Sequence, residues 1–219
     1  MSTRREELAE RVSALEDEIA AYSPTLIAVT KTYPASDVAI LRELGLTNFG
    51  ENRSGEGLAK SAEVSGQWHY QGEIQSKKIR EILSWAQWIH SLDDLRHCEK
   101  IEKALVESGG EVNGFLQLSL DGDPRRGGLI EEELLAVAAV VSQYSQLSLQ
   151  GIMCVPPVSM APGEAFQEIS ATHLRFKSEF PDSPYLSAGM SGDYMVALEH
   201  GATHIRVGSK ILGARSYDQ

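Results

Sequence analysis

Several features that define other protein classes are scarce in this sequence of 219 residues. It has only two cysteines, Cys98 and Cys154, which form neither a C-x-x-C pair nor a disulfide framework. We expect both to be buried apolar residues in a reducing compartment. The six histidines show no metal-ligand spacing, so we assign no metal. The fold must therefore rest on a hydrophobic core, which a chain of this length can bury.

Positive charge is scarce as well. Lys and Arg number 20 against 31 Asp and Glu, which gives a net charge of -11. A protein that binds the phosphate backbone of nucleic acids needs a basic face, so we expect no nucleic-acid partner. A single small anion held by backbone amides remains compatible with this charge.

Long apolar segments are also missing from the sequence. No apolar run reaches the ~20 residues that span a bilayer, and the charged N-terminus lacks the apolar core of a signal peptide. We therefore expect a cytoplasmic protein that does not associate with membranes.

What the sequence does contain is a regular alternation of short apolar strands and helices. Residues 3–21 form an amphipathic helix, and Ser36 is the predicted N-cap of the helix after the first strand. Strands are predicted at 25–31, 47–52, 67–72, 88–91, 112–120, 149–155, 185–187 and 203–207. A short helix is predicted between the last two strands, at 192–200. Eight βα repeats indicate an α/β protein with a single (β/α)8 TIM barrel and an extra N-terminal helix. We interpret residues 1–219 as one domain, with helix 3–21 packed on it.

The first predicted strand ends in a lysine, Lys31, at the end where parallel barrels carry their chemistry. A lysine at a strand end can be a solvated charge whose stem covers apolar surface. At the mouth of an apolar barrel, however, the amine loses hydration, its pKa falls and it becomes nucleophilic. The residues alone leave both interpretations open.

Two glycine-containing turns follow the seventh and eighth strands, at 187–193 and 206–209. Barrels often bind phosphate at this place, where helix N-termini present free amides and a hydroxyl. The alternative is that both are ordinary turns capped by serine. A nucleophilic lysine on one wall and a phosphate site on the opposite wall would describe a pyridoxal 5'-phosphate (PLP) site.

Six ordered segments make the sequence similar to a known family. They are 28–32, 49–52, 68–72 with 75–78, 151–153, 187–191 and 206–209. These segments resemble motifs of the pyridoxal phosphate homeostasis family, the proline synthetase co-transcribed homologues, between about residue 24 and Tyr217. The resemblance implies a fold-type III PLP-binding barrel, as in the N-terminal domain of alanine racemase.

The resemblance also implies a role for each matching residue. Lys31 corresponds to the lysine that forms a Schiff base with PLP, and Arg206 to the arginine that faces the pyridine nitrogen. A permanent cation there disfavours protonation of that nitrogen, so the ring is a weaker electron sink than one paired with Asp. Asn52 and His69 belong to motifs expected at the barrel mouth, lining the ring or aldehyde side of the cofactor.

The phosphate of the cofactor is assigned to the loops after the last two strands. Ser191, Gly208 and Ser209 correspond to the family's phosphate cradle, with Met190 beside it. Ser209 replaces a common threonine and keeps the hydroxyl.

Departures from the family pattern cluster on loops around the predicted mouth. Tyr33 replaces a frequent lysine or histidine, Arg53 a frequent aromatic residue and Lys77 a frequent asparagine, while 125–128 replaces a turn that usually contains lysine. The sequence does not assign roles to these residues.

The function implied by the resemblance is intracellular PLP homeostasis, meaning buffering or delivery of the cofactor without turnover. Few residues follow the eighth βα unit, so we expect no racemase-type β-domain, and a monomer. PLP-dependent apo-enzymes would be the recipients. The alternatives are a fold-type III amino-acid racemase or related enzyme that uses Lys31 as its base, and a phosphate-binding barrel isomerase without PLP.

Overall fold

Eight parallel strands close into a barrel in the computed structural model, which describes residues 2–213. They are β1 Thr25–Val29, β2 Asn48–Glu51, β3 Gln67–Tyr70, β4 Trp88–Leu92, β5 Val112–Leu118, β6 Leu147–Cys154, β7 Tyr185–Ser187 and β8 His204–Val207. Each strand pairs in parallel with the next in the chain, and β1 closes the barrel by pairing with β8. The predicted (β/α)8 barrel is confirmed.

Helices cover the outside of the barrel between the strands. They are α1 Arg4–Ile19, α2 Ala35–Glu43, α3 Ser54–Glu63, α4 Ile79–Leu83, α5 Leu95–Ser108, α6 Glu131–Val141, α7 Pro162–Glu179, α8 Tyr194–Glu199 and α9 Ser209–Leu212, with a 3-10 turn at Ser76–Lys78 before α4. Within the described range, no helix is both long and apolar enough to cross a membrane.

Most strand residues are buried on both faces, because helices cover the outside and side chains fill the inside. Trp68 and Trp85 are buried between the strands and the helices. Cys98 and Cys154 are free and buried, as predicted. All four belong to one continuous apolar cluster that joins the strands to the helices.

The N-terminal helix α1 buries the apolar stripe that its sequence predicts, Leu8, Val12, Leu15 and Ile19. A capping box starts the helix: the Thr3 hydroxyl accepts from the Glu6 N–H, and the Glu6 carboxylate accepts from the Thr3 N–H.

Ion pairs fix the position of α1. Arg4 donates to Asp37 at the start of α2 at 2.6 Å and to the Leu212 carbonyl in α9 at 3.0 Å. At its other end, Glu18 accepts from Lys210 of α9 at 2.9 Å. The helix is thus held against α2 and α9, on the side of the barrel where the chain leaves β8.

Two local predictions differ from the structure. Ser36 is not the N-cap of α2; the helix begins at Ala35 after Pro34, which lacks a capping side chain, because proline fixes the backbone geometry that starts the helix. The helix predicted at 192–200 is limited to Tyr194–Glu199. Its start is delayed because the Asp193 side chain accepts from the Met190 N–H at 2.6 Å and holds 190–193 as a turn.

Candidate functional site

Lys31 lies half-buried in the turn that follows β1, two residues beyond the end of the strand. The Tyr33 N–H donates to the Thr30 carbonyl at 3.0 Å and closes this turn. Thr32 has a φ of 71°, in the left-handed region that few residues other than glycine adopt. Its N–H donates to the Glu56 carboxylate of α3 at 2.9 Å. The backbone around Lys31 is therefore held on both sides by hydrogen bonds.

A buried ion pair also contacts the residue that precedes Lys31 in this turn. Lys60 of α3 donates to Glu51 at 2.6 Å and to the Thr30 carbonyl at 2.9 Å, and the Thr30 hydroxyl donates to Glu51 at 2.6 Å. Burial raises the pKa of the Glu51 carboxyl, and the contacts with Lys60 and Thr30 oppose that rise. The residue directly before Lys31 is thereby anchored to a pair of buried charges.

The loops after β7 and β8 meet beside the Lys31 turn, not on the opposite wall as predicted, because β8 pairs directly with β1. The Ser191 hydroxyl accepts from the Gly208 N–H at 3.1 Å and from the Lys210 N–H at 3.4 Å. These bonds place the Ser191 hydroxyl beside the start of α9, next to Ser209. Because α8 has six residues and α9 has four, helix dipoles are small here, and anion binding would rest on hydroxyls and loop amides.

Arg206 projects from β8 and is buried. Its guanidinium donates to the Ser187 hydroxyl at 2.7 Å and to the Cys154 carbonyl at 3.1 Å. Burial lowers the pKa of Arg206 to about 10, which leaves the group cationic at neutral pH. Both acceptors are neutral, so the positive charge is hydrogen-bonded without being neutralised.

These elements enclose a cavity of about 330 Å³ at the C-terminal end of the barrel. This volume lies in the range of about 300–1,000 Å³ that small-molecule sites occupy. Its lining includes every predicted site residue except His69, namely Lys31, Asn52, Met190, Ser191, Arg206, Gly208 and Ser209. Tertiary structure thus brings together residues that are up to 178 positions apart, from Lys31 to Ser209 (209 − 31).

His69 is placed differently from the expectation that it faces the cofactor. It is fully buried inside the barrel and does not line the cavity. Its ring stacks on Trp88, the first residue of β4, and bonds to Asn48, the first residue of β2, at 3.1 Å. The side chains of a barrel strand alternate between the interior and the helices, and His69 points into the interior layer near the N-terminal ends of the strands.

Some lining residues carry no assignment from the sequence. Gln71, Met153 and Val155 contribute to the cavity wall, together with Tyr33, whose hydroxyl donates to the Gly213 carbonyl at 2.8 Å. Only its position in the segment 68–72, which resembles a family motif, could have indicated Gln71 from the sequence. Nothing in the sequence indicated Lys60, because it lies in the weakly patterned helix α3 and its partner Glu51 lies in a separate strand.

A second cavity of about 480 Å³ adjoins the first and shares Gln71, Met153 and Val155 with it. Its wall includes Arg126, which is held by Asp121 at 2.9 Å and by the Val155 carbonyl at 2.7 Å. The loop 125–128, which departs from the family pattern, therefore forms part of the barrel mouth.

Sequence comparison with known proteins identifies the family. Residues 4–216 match the family described as alanine racemase, N-terminal domain. A "Pyridoxal phosphate homeostasis protein" of Corynebacterium glutamicum is 39% identical over 201 residues, which cover 88% of this chain and 91% of the relative. The protein of the same name from Escherichia coli K12 is 32% identical over 204 residues, 89% of this chain and 87% of the relative.

Solved structures agree with these relatives. PipY of Synechococcus elongatus, solved with PLP bound, has a TM-score of 0.86 and 31% identity and covers 94% of this chain and 100% of its own. An alanine racemase of Clostridium difficile shares the fold at a TM-score of 0.80 and 11% identity, with 97% of this chain covered and 58% of its own. The barrel, the cavity at its C-terminal end and these similarities together show that the chain belongs to the pyridoxal phosphate homeostasis protein family, within the alanine racemase N-terminal domain group.

Proposed function

We propose that this protein binds PLP through a Schiff base on Lys31 and serves PLP homeostasis by buffering and delivering the cofactor. The observation that carries the proposal is that one cavity brings Lys31 together with Ser191, Gly208 and Ser209. The homologues that bear the homeostasis name, and the PLP-bound PipY structure, support the choice of ligand.

The donor set of the cavity fits PLP. The hydroxyls of Ser191 and Ser209 and the amides of the surrounding loops suit a phosphate dianion, which the protein's net charge would otherwise repel. A Cβ added to Gly192 would meet no other described atom within 4 Å, so this loop leaves open space beside Ser191. Arg206 offers a cation to the ring side and Lys31 a primary amine.

Different residues of the site would hold different parts of the cofactor. When bound, PLP supplies an aldehyde that can condense with an amine. The ion pair of Glu51 and Lys60 orients the turn that carries Lys31, and Ser191 organises the loops at the phosphate end. Asn52 follows β2, on the other side of Lys31 from the β7 and β8 loops, and would line the ring side of the cofactor.

Absorption spectroscopy tests the proposal. Protein reconstituted with PLP should show a visible band that borohydride bleaches, and mass spectrometry should then find the added mass on Lys31. Lys31→Ala should lose the band, whereas Lys77→Ala, which removes an exposed lysine outside the cavity, should keep it. A wild-type protein without such a band contradicts the proposal and favours a phosphate-binding barrel without PLP.

The adjoining cavity of about 480 Å³ favours a second candidate, an amino-acid racemase or related enzyme, because it gives an amino-acid substrate room beside the PLP cavity. Incubation of the PLP-loaded protein with L-amino acids in deuterated water distinguishes the two. Exchange of the α-proton with stereospecific turnover, lost in Lys31→Ala, would establish the enzyme. If the visible band is fully formed and no α-proton exchange occurs, the result supports a carrier without turnover.

We also propose that the protein is a cytoplasmic monomer and that it passes PLP to PLP-dependent apo-enzymes. Light scattering during size-exclusion chromatography measures the mass. Transfer of PLP to an apo-enzyme in the same chamber, compared with transfer across a dialysis membrane, shows whether delivery needs contact.

A further inference from the structure

A chain of buried polar side chains runs through the barrel interior to Arg206. Arg206 contacts the Ser187 hydroxyl at 2.7 Å, and Ser187 contacts His90 Nδ1 at 2.8 Å. His90 Nε2 lies 2.9 Å from His69 Nδ1, and His69 Nε2 lies 3.1 Å from the Asn48 side-chain oxygen. Ser187, His90 and His69 are all buried, and the chain ends at the first residue of β2.

When both histidine rings are neutral, the two ends of this hydrogen-bonded series fix the direction of every hydrogen bond in it. A guanidinium can only donate, so Ser187 accepts from Arg206. The Asn48 oxygen can only accept, so His69 carries its proton on Nε2 and accepts at Nδ1. His90 must then donate from Nε2 to His69 and accept the Ser187 hydroxyl proton at Nδ1. Donors and acceptors match at every step when both histidines are neutral.

The neutral state of both rings agrees with their surroundings. Burial holds the pKa of His69 and of His90 well below the usual value, and nearby His204 and Arg206 act in the same direction on His90. Within residues 2–213, neither ring bonds to a carboxylate. The chain therefore gives Arg206 an oriented acceptor without giving it a counter-charge.

We propose that Ser187, His90, His69 and Asn48 are positioning residues that aim the unneutralised Arg206 guanidinium at the ring of the bound cofactor. This inference rests on the proposed PLP-binding function. A carboxylate at the place of Ser187 would pair with the guanidinium and weaken its field in the cavity. A neutral, fully satisfied chain instead holds the group in place and leaves its charge available to the ligand. His69 thus acts on the ligand through three other side chains.

A matched pair of substitutions at Ser187 tests the proposal. Ser187→Thr and Ser187→Val add side chains of the same shape, and only the threonine keeps the hydroxyl. Losing a hydrogen bond to a charged group should weaken PLP binding about tenfold in Ser187→Val relative to Ser187→Thr. The visible absorption maximum of the bound cofactor should also shift in the valine variant alone. Equal affinities and spectra in the two variants would overturn the proposal.

Histidine NMR of the wild-type protein without ligand gives an independent readout that a merely space-filling role would not produce. Nitrogen-15 shifts should show neutral His69 and His90, both protonated at Nε2, at pH 7. An Nδ1–H tautomer or a charged ring at either position would overturn the proposal, even if neither Ser187 variant folds. If the wild-type protein fails to bind PLP, the proposed function itself fails. Binding by wild type with equal Ser187 variants removes only the positioning role.

Discussion

Among individual residues, Glu51 and Lys60 have the most demanding environment near Lys31. Their side chains are 0% and 8% exposed, and one Glu51 oxygen, Oε2, has no hydrogen-bond partner among the described residues. A buried pair of this kind compensates its desolvation only while both charges are present. The pair therefore stabilises the Lys31 turn and makes it sensitive to either substitution.

Lys60→Met should lower the free energy of unfolding by about 3–5 kcal/mol, because it leaves Glu51 as an unpaired buried charge. Urea denaturation at pH 7 measures this loss. Arg80→Met is the matched control: the Arg80–Glu107 pair is exposed at 85% and 50% of its side chains, and its loss should cost at most about 1 kcal/mol. Adding Glu51→Gln to Lys60→Met should restore much of the stability. A double variant no more stable than Lys60→Met would contradict this account.

Among elements, the loop between β7 and α8 has a backbone that is tightly constrained by α8. Gly189 has a φ of 92°, and a Cβ placed on it would lie 2.7 Å from the Ala197 Cβ and 2.9 Å from the Tyr194 Cα. Only glycine permits both this conformation and this approach of the loop to α8. The loop position of Ser191 depends on that contact.

Gly189→Ala should destabilise the protein by about 1–3 kcal/mol through backbone strain, before any cost of the contact with Ala197 is added. Gly192→Ala, three residues further along the same loop, meets no atom within 4 Å and should change stability by no more than about 0.5 kcal/mol. The midpoints of urea denaturation give both values. Similar losses in the two variants would show that the conformation of Gly189 does not constrain the loop.

In the molecule as a whole, the barrel interior contains histidines where many barrels of this type hold branched apolar residues. His69, His90 and His204 lie among Trp88 and Phe115, with ring centroids 4.6–5.8 Å apart across the contacts between them. Burial lowers the pKa of each histidine, to about 4 for His204. The folded barrel thus holds these rings neutral at a pH where the unfolded chain would protonate them.

Stability should therefore fall as the pH decreases below about 6.5, the pKa of histidine in an unfolded chain. Between 6.5 and the lowered folded values, the unfolded state binds more protons, so the free energy of unfolding decreases with falling pH. Each of the three histidines contributes a slope of up to about 1.4 kcal/mol per pH unit. Urea denaturation at a series of pH values measures the total slope.

His204→Asn isolates one part of that slope. Because the window for His204 runs from about 6.5 down to about 4, this variant should flatten the dependence by about 1.4 kcal/mol per pH unit near pH 5. A slope equal to that of the wild type would mean that His204 is not held neutral by the fold.

The sequence by itself determined the architecture and most of the candidate site. The alternation of strand and helix patterns depends on which face of each segment is apolar, and that is a local property of neighbouring residues. Because parallel barrels gather the C-terminal ends of their strands at one face, the Lys31 turn and the loops at 187–193 and 206–209 could be predicted to share one site. The family resemblance then assigned Ser191 and Ser209 to the phosphate.

Only the tertiary structure decided which polar side chains support that site. The Lys60–Glu51 pair joins a helix to a strand, and the His90–Ser187 bond joins residues 97 positions apart. It also placed His69 in the interior layer near the N-terminal ends of the strands, too deep in the barrel to reach the cavity. The energy of such contacts depends on burial and on the orientation of a distant partner, which local patterns do not encode.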